Sequence, residues 1–155
     1  MAGEFSNSIM YRVMQQWFRW TRSMTLGVRA LVIDQEGRIL LVRHGYTPGW
    51  LLPGGGIERG ETAHEALARE LQEEAAITLT QEPELFGFYS NEKIFRGDHV
   101  AFYVVKQFLP GQFTATAEIA DARFFDREDL PGDTSEGTRR RIEEVFRGKA
   151  KTALW

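Results

Sequence analysis

Apolar side chains recur along the chain at two spacings, and the change of spacing marks its organisation. Between residues 9 and 24, Met10, Val13, Met14, Trp17 and Met24 stand at helical intervals with Arg12, Gln16 and Arg19 among them, which predicts an amphipathic helix. After Gly27 the runs become short and β-rich. Val28 to Ile33 and Arg38 to Val42, joined by Asp34-Gln35-Glu36-Gly37, predict a hairpin. Gly45, Gly49, Gly54, Gly55, Gly56 and Gly60 then crowd one stretch, an exposed, turn-rich loop of the kind that carries function. Thr62 to Glu74, rich in Ala, Leu and Glu without Gly or Pro, predicts a helix. Strands are predicted at Leu85 to Tyr89, Val100 to Phe108 and Ala122 to Phe125, and a last helix at Ser135 to Phe146 with Arg139, Arg140 and Arg141 in its middle. Helices interleaved with strands in this way predict one α/β domain, a mixed sheet covered by helices.

The division expected is an N-terminal segment, residues 1–26, ahead of a domain at 27–155, with Met1 to Phe5 read as an expression-vector remnant. The amphipathic helix is expected to pack on this domain or on a second copy of it, hinting at a homodimer, with docking on a membrane surface as the alternative. Composition narrows the classes. With 19 Lys plus Arg against 22 Asp plus Glu, the chain has no general electrostatic grip on nucleic acid, and no stable complex with it is expected. The absence of Cys excludes disulfide scaffolds, thiolate metal sites and thiol nucleophiles. No apolar run reaches the roughly 20 residues of a spanning helix, and Arg12, Arg19 and Arg22 interrupt the only candidate for a secretory signal, so the expected location is cytoplasmic.

Charge on the Thr62 to Glu74 helix changes the picture. At about 100° per residue, Ala63, Ala66, Leu67 and Leu71 share one apolar sector, and Glu70 and Glu74 fall inside it one turn apart, with Glu73 at its edge. Like charges at this spacing repel, and a buried unpaired carboxylate costs several kcal/mol, so a cation is needed. Between Ile57 and Glu74 six acids stand against Arg59 and Arg69, a local excess larger than the −3 of the whole chain. A hard divalent ion, Mg²⁺ or else Mn²⁺, suits carboxylate oxygens and leaves positions for water or substrate phosphate. The plainer alternatives are that the last glutamates swing into water where the helix ends, and that Glu58 and Glu65 only solvate it.

The segment Gly55-Gly56-Ile57-Glu58-Arg59-Gly60-Glu61, seven residues, then Arg69-Glu70-Leu71-Gln72-Glu73-Glu74-Ala75-Ala76-Ile77 resembles the Nudix box, G-x5-E-x7-R-E-U-x-E-E-x-G-U, where U is apolar. The one departure is Ala76 at the final Gly position; alanine in a left-handed turn would cost roughly 1 to 2 kcal/mol. Trp50-Leu51-Leu52-Pro53-Gly54, Arg123-Phe124-Phe125 and Leu130-Pro131 extend the likeness weakly. The resemblance implies a Nudix-like α/β/α sandwich that hydrolyses a nucleoside diphosphate linked to another group. It also implies that Glu70, Glu73 and Glu74 bind Mg²⁺ beside the Gly54 carbonyl, while Glu61 and Arg69 orient them. In this family the general base differs between members, so Glu73 competes with a carboxylate after the box, Glu118 first and Asp121 second, unless these are plain surface acids.

Signals for the substrate are weaker. Tyr46, Trp50, Phe88, Tyr89 and Phe95 are aromatic candidates for stacking, Trp50 being preferred because it adjoins the glycine loop, although packing is the ordinary fate of such residues. Arg43 could hold a phosphate or form a surface ion pair, and Gly55 is expected against the substrate. His44 and His99 lack the spacing of a histidine metal site. Neither the proline of ADP-ribose members nor the tyrosine of dinucleoside-polyphosphate members is evident: Pro83 lies too close to the box and Pro110 too far. Three rivals are an isomerase of the same architecture, disfavoured because it needs a catalytic cysteine, a nucleotide-sensing module without turnover, and a structural cation site on the acidic helix.

Overall fold

The computed structural model describes residues 24–155, so the helix expected between residues 9 and 24 lies almost wholly outside it. Seven strands and two helices follow in the order β1 (Thr25–Val32), β2 (Ile39–His44), α1 (Ala63–Ala75), β3 (Ile77–Leu79), β4 (Glu84–Ser90), β5 (Asp98–Val105), β6 (Phe108–Pro110), β7 (Ile119–Phe125) and α2 (Glu136–Arg147). β1 pairs in parallel with β5, which pairs antiparallel with β4; β2 pairs antiparallel with β7, and β3 with β6. The sheet is therefore mixed, as expected.

Strand periodicity builds the layers. Val28, Ala30 and Val32 of β1, Leu40 and Val42 of β2, and Ala101, Tyr103 and Val105 of β5 pack with Ala66, Leu67, Leu71 and Ala75 of α1. The alternate residues, Leu31, Ile39, Leu41, Phe102 and Val104, pack with Ile142 and Val145 of α2. Each helix thus covers the opposite face of the same strands, which gives the α/β/α arrangement.

The hairpin is the main correction. The turn forms, with the Gly37 N–H on the Asp34 carbonyl at 3.1 Å, but only the single bridge Ile33 to Ile39 follows it. A continued hairpin would pair Ala30 with Val42. Instead the Ala30 N–H donates to the Pro53 carbonyl at 3.0 Å and the Val42 N–H to the Leu51 carbonyl at 2.9 Å. The glycine-rich segment runs between the two strands and satisfies both edges, which draws it into the middle of the fold. The strand expected at Val100 to Phe108 is also two, since β5 ends at Val105 and β6 begins at Phe108.

α1 starts with a capping box: the Glu65 N–H donates to the Thr62 hydroxyl and the Thr62 N–H to the Glu65 carboxylate. Glu65 is therefore a cap, not only a solvating charge. At the other end Ala76 adopts the left-handed conformation with φ 54° and ψ 35°, its N–H donating to the Gln72 carbonyl. The turn keeps the shape that glycine would favour and carries alanine's strain. Ala76→Gly is expected to stabilise the domain by about 1 kcal/mol, raising Tm by roughly 3 °C in a thermal melt. An unchanged or lower Tm would mean that the Ala76 methyl contributes packing that offsets the strain.

Candidate active site

The glycine segment and α1 assemble the site. Gly54 lies at φ +135°, and a Cβ on it would stand 2.1 Å from the Val28 carbonyl oxygen, so only glycine lets the loop lie this close to β1. Its N–H donates to Glu74 Oε2 at 2.7 Å. Gly55 is backed by Glu70, whose Oε1 would come 2.3 Å from a Cβ there. The loop is thus pressed on β1 from one side and on the two carboxylates from the other.

Glu70 and Glu74 occupy the inward sector that the helical wheel gives them, and Glu73 the outer edge. Side-chain exposure is 5% for Glu74, 14% for Glu70 and 60% for Glu73. Arg69 ties the group together. It donates through Nε to Glu61 at 2.7 Å, through one terminal nitrogen to Glu70 at 2.9 Å and Glu73 at 3.4 Å, and through the other to the Gly56 carbonyl at 3.1 Å. The Glu61 carboxyl is held below its usual range by these Arg69 hydrogen bonds and by the Glu58 N–H. Glu70 is pushed up by burial in spite of Arg69.

Glu74 is the extreme case. Burial pushes its carboxyl up to about 7, against the pull of the Gly54 N–H and the more distant Arg29. Its other neighbour is His44 Nε2 at 3.5 Å, and burial lowers the pKa of that imidazole. Among the described residues this buried carboxyl touches a histidine whose charged form burial disfavours and no Lys or Arg, so the contact cation that a buried carboxylate requires is not supplied by them.

Across from α1, the Gly45 N–H donates to the Glu118 carbonyl at 2.8 Å and fixes the β7 entry loop at the end of β2. Glu58, Arg69, Glu70, Glu73, Glu74 and Glu118 thereby line a groove of about 630 Å³. Of the two downstream acids, Glu118 is brought into it; Asp121 pairs with Arg123 on β7. A second cavity, about 820 Å³, is lined by Gly55 and Gly56 together with Arg29, Asn91 and Leu154 among others.

Trp50, the aromatic residue preferred for stacking, lines neither cavity. Trp50 is buried at 6% exposure and packs edge-on against Phe125 in the α2-side core, because its backbone bridges to Thr134. Arg43, half exposed, lies over Trp50 and 3.6 Å from Asp133, the ion-pair alternative. Arg29, whose only sequence signal is a lone charge inside the apolar run of β1, donates to the Leu52 carbonyl at 2.9 Å and borders the larger cavity. His44, which lacks the spacing of a histidine metal site, lies 3.5 Å from Glu74.

Among the described residues no three acidic or histidine side chains converge on one point. The chemistry nevertheless fits a hard divalent cation: Glu70 and Glu74 are desolvated oxygen donors one turn apart, and Glu73 and Glu118 face the same groove. The sequence model of the NUDIX domain family matches residues 24–145, and the chain belongs to that family. It is 32% identical over 104 residues to the ADP-ribose pyrophosphatase of Methanocaldococcus jannaschii, a match covering 64% of this chain and 61% of that relative's length. The fold is similar to a MutT NUDIX hydrolase from Burkholderia pseudomallei, with a TM-score of 0.69 at 25% identity over 79% of this chain and 98% of that one. It is also similar to the NUDIX domain of Shewanella oneidensis NrtR, with a TM-score of 0.69 at 20% identity, covering 85% and 92%. Among the described residues no helix is long and apolar enough to cross a membrane.

Proposed function

We propose that the chain is a divalent-metal-dependent pyrophosphohydrolase acting on a nucleoside diphosphate derivative. The observation that carries this reading is the buried Glu74 carboxyl, facing the acidic groove one helical turn from Glu70 with no Lys or Arg in contact among the described residues. Family membership and the name of the M. jannaschii relative support the same class of reaction.

Glu70, Glu73 and Glu74 are the residues that would hold Mg²⁺ or Mn²⁺, which when bound neutralises diphosphate oxygens and lowers the pKa of a bound water. Arg69 orients Glu61, Glu70 and Glu73 through its fixed fork of donors. Water attacks one phosphorus, a new P–O bond forms, and the bridging oxygen leaves with the electron pair on the departing phosphate. Glu118 or the exposed Glu73 takes the proton lost by the water; both face the groove and solvent. Gly55, backed by Glu70 of this groove, also lines the larger cavity, so a diphosphate reaching from one to the other would place its organic end near Arg29.

Incubation with ADP-ribose, nucleotide sugars, dinucleoside polyphosphates and nucleoside triphosphates, with Mg²⁺ and with chelator, tests the reading. Monophosphate products that vanish with chelator are expected from at least one substrate class. Tight binding without products across the panel would make the chain a sensor; products that survive chelation would remove the metal.

A further inference from the structure

The larger cavity has one wall built from the segment that follows α2, and the fastening of that wall is unusual. Arg141 is wholly buried, yet its guanidinium does not serve the helix alone. It donates to the Leu154 carbonyl at 3.1 Å, the Thr152 hydroxyl at 3.0 Å and Glu144 at 2.8 Å, and stacks 4.0 Å over the Tyr89 ring. Glu144 in turn accepts from the Tyr89 hydroxyl at 2.8 Å and from the Thr152 N–H at 3.1 Å. Backbone bonds complete the attachment: the Ser90 N–H donates to the Ala153 carbonyl and the Trp155 N–H to the Ser90 carbonyl, both at 2.9 Å. Gly137 makes room for the Trp155 indole, whose Nε1 would lie 2.8 Å from a Cβ there.

Burying a charged guanidinium is costly; the Arg141 Nε has no partner among the described residues, and of the three partners of its terminal nitrogens two belong to this segment. The segment is therefore held in one position and lines the cavity with Thr152, Leu154 and Trp155, of which Leu154 is the exposed apolar side chain. Leu154 is 40% exposed, as is Leu26 of the same lining, and Ile94, also of the lining, is 76% exposed. Three large apolar side chains left in water around a cavity next to Gly55 and Gly56 suit a flat, weakly hydrated group such as a nucleobase. Residues 149–155 lie beyond the span matched by the family model, 24–145.

We propose that Leu154, fixed by Arg141 and Thr152, is a specificity-determining contact for the nucleoside end of the substrate. The inference rests on the hydrolytic reading of the acidic groove. Calorimetric titration in the presence of Mg²⁺ with two kinds of non-cleavable probe separates the two ends of the ligand. Methylenediphosphonate reports the phosphate end alone, and the tightest-binding of the α,β-methylene analogues of ADP, GDP, CDP and UDP reports both.

Leu154→Ala is expected to weaken the nucleotide analogue by about 5- to 20-fold and to leave methylenediphosphonate within about twofold. Leu154→Met, which keeps an apolar contact, is expected to stay within about threefold for both. An unchanged nucleotide affinity in Leu154→Ala, an equal loss for both probes, or a wild type that binds the nucleotide no tighter than methylenediphosphonate would overturn the assignment. Chelator-sensitive hydrolysis by the wild type is measured alongside. Its absence would overturn the hydrolytic reading, while the ratio of the two affinities would still decide for or against Leu154.

Discussion

Glu74→Gln is expected to lower turnover on the best substrate by about 10³-fold while the domain stays folded. The amide keeps an oxygen to accept the Gly54 N–H, so the loop retains its 2.7 Å hydrogen bond, but the formal charge that would hold a cation is gone. The same variant has a signature that needs no substrate. With its carboxyl pushed up to about 7 by burial, Glu74 takes up a proton in the folded state at a pH where the unfolded chain, with an ordinary value of roughly 4.3, has released it. Its contribution to stability is therefore fully present below the unfolded value and is lost as pH rises through the folded one. In metal-free buffer the wild-type Tm should fall between pH 5 and pH 8 more steeply than that of Glu74→Gln. Glu61 and Glu65, held below their usual range by Arg69 and by Thr62, act in the opposite sense and at lower pH, outside this window. Wild-type turnover in the variant would remove Glu74 from the reaction, and parallel pH slopes would remove its buried charge.

Gly54→Ala is expected to be the most damaging single change to the fold. The added methyl would meet the Val28 carbonyl oxygen at 2.1 Å and the Arg29 Cα at 2.9 Å, on a backbone already at φ +135°. Neither side can yield cheaply. The Val28 N–H is bonded to the Gly55 carbonyl at 2.8 Å, and the Gly54 N–H to Glu74. A cost of at least about 4 kcal/mol and a Tm loss of roughly 10 °C or more follow. Gly37→Ala is the control, since at φ +78° it has nothing within 4 Å of its added Cβ and should show only the left-handed penalty of roughly 1 to 2 kcal/mol. If the two variants melt together, the loop is free to move away from β1 and the close approach is not required.

Much of the fold was legible in the chain because it follows from local periodicity. Short β-rich runs predicted the strands that became β1, β2 and β5, and the Ala and Leu spacing in α1 predicted a helix, which covers one of the two faces that those strands bury. The same wheel placed Glu70 and Glu74 inward, and the structure finds the second of them almost fully buried. The failed hairpin shows the limit of this reasoning. Two β-rich runs joined by a four-residue turn are a local pattern, but the partners of Ala30 and Val42 come from residues 51 to 53. Choosing between the two pairings depends on which loop can come close enough, and that is set by Gly54 against Val28.

The site divides in the same way. The sequence by itself determined the spacing of Glu70, Glu73 and Glu74 on α1, because that depends on residue type at fixed separation, while the resemblance to the box implied that Glu61 and Arg69 orient them and left Glu73, Glu118 and Asp121 competing as the base. Only the tertiary structure decided that Trp50 packs inside, that His44 meets Glu74, and that Arg141 fastens a distant segment beside the glycine loop. Each of these contacts joins residues whose meeting depends on how strands and helices are layered. No local spacing encodes that, since burial and long-range hydrogen bonding are settled only when the layers close.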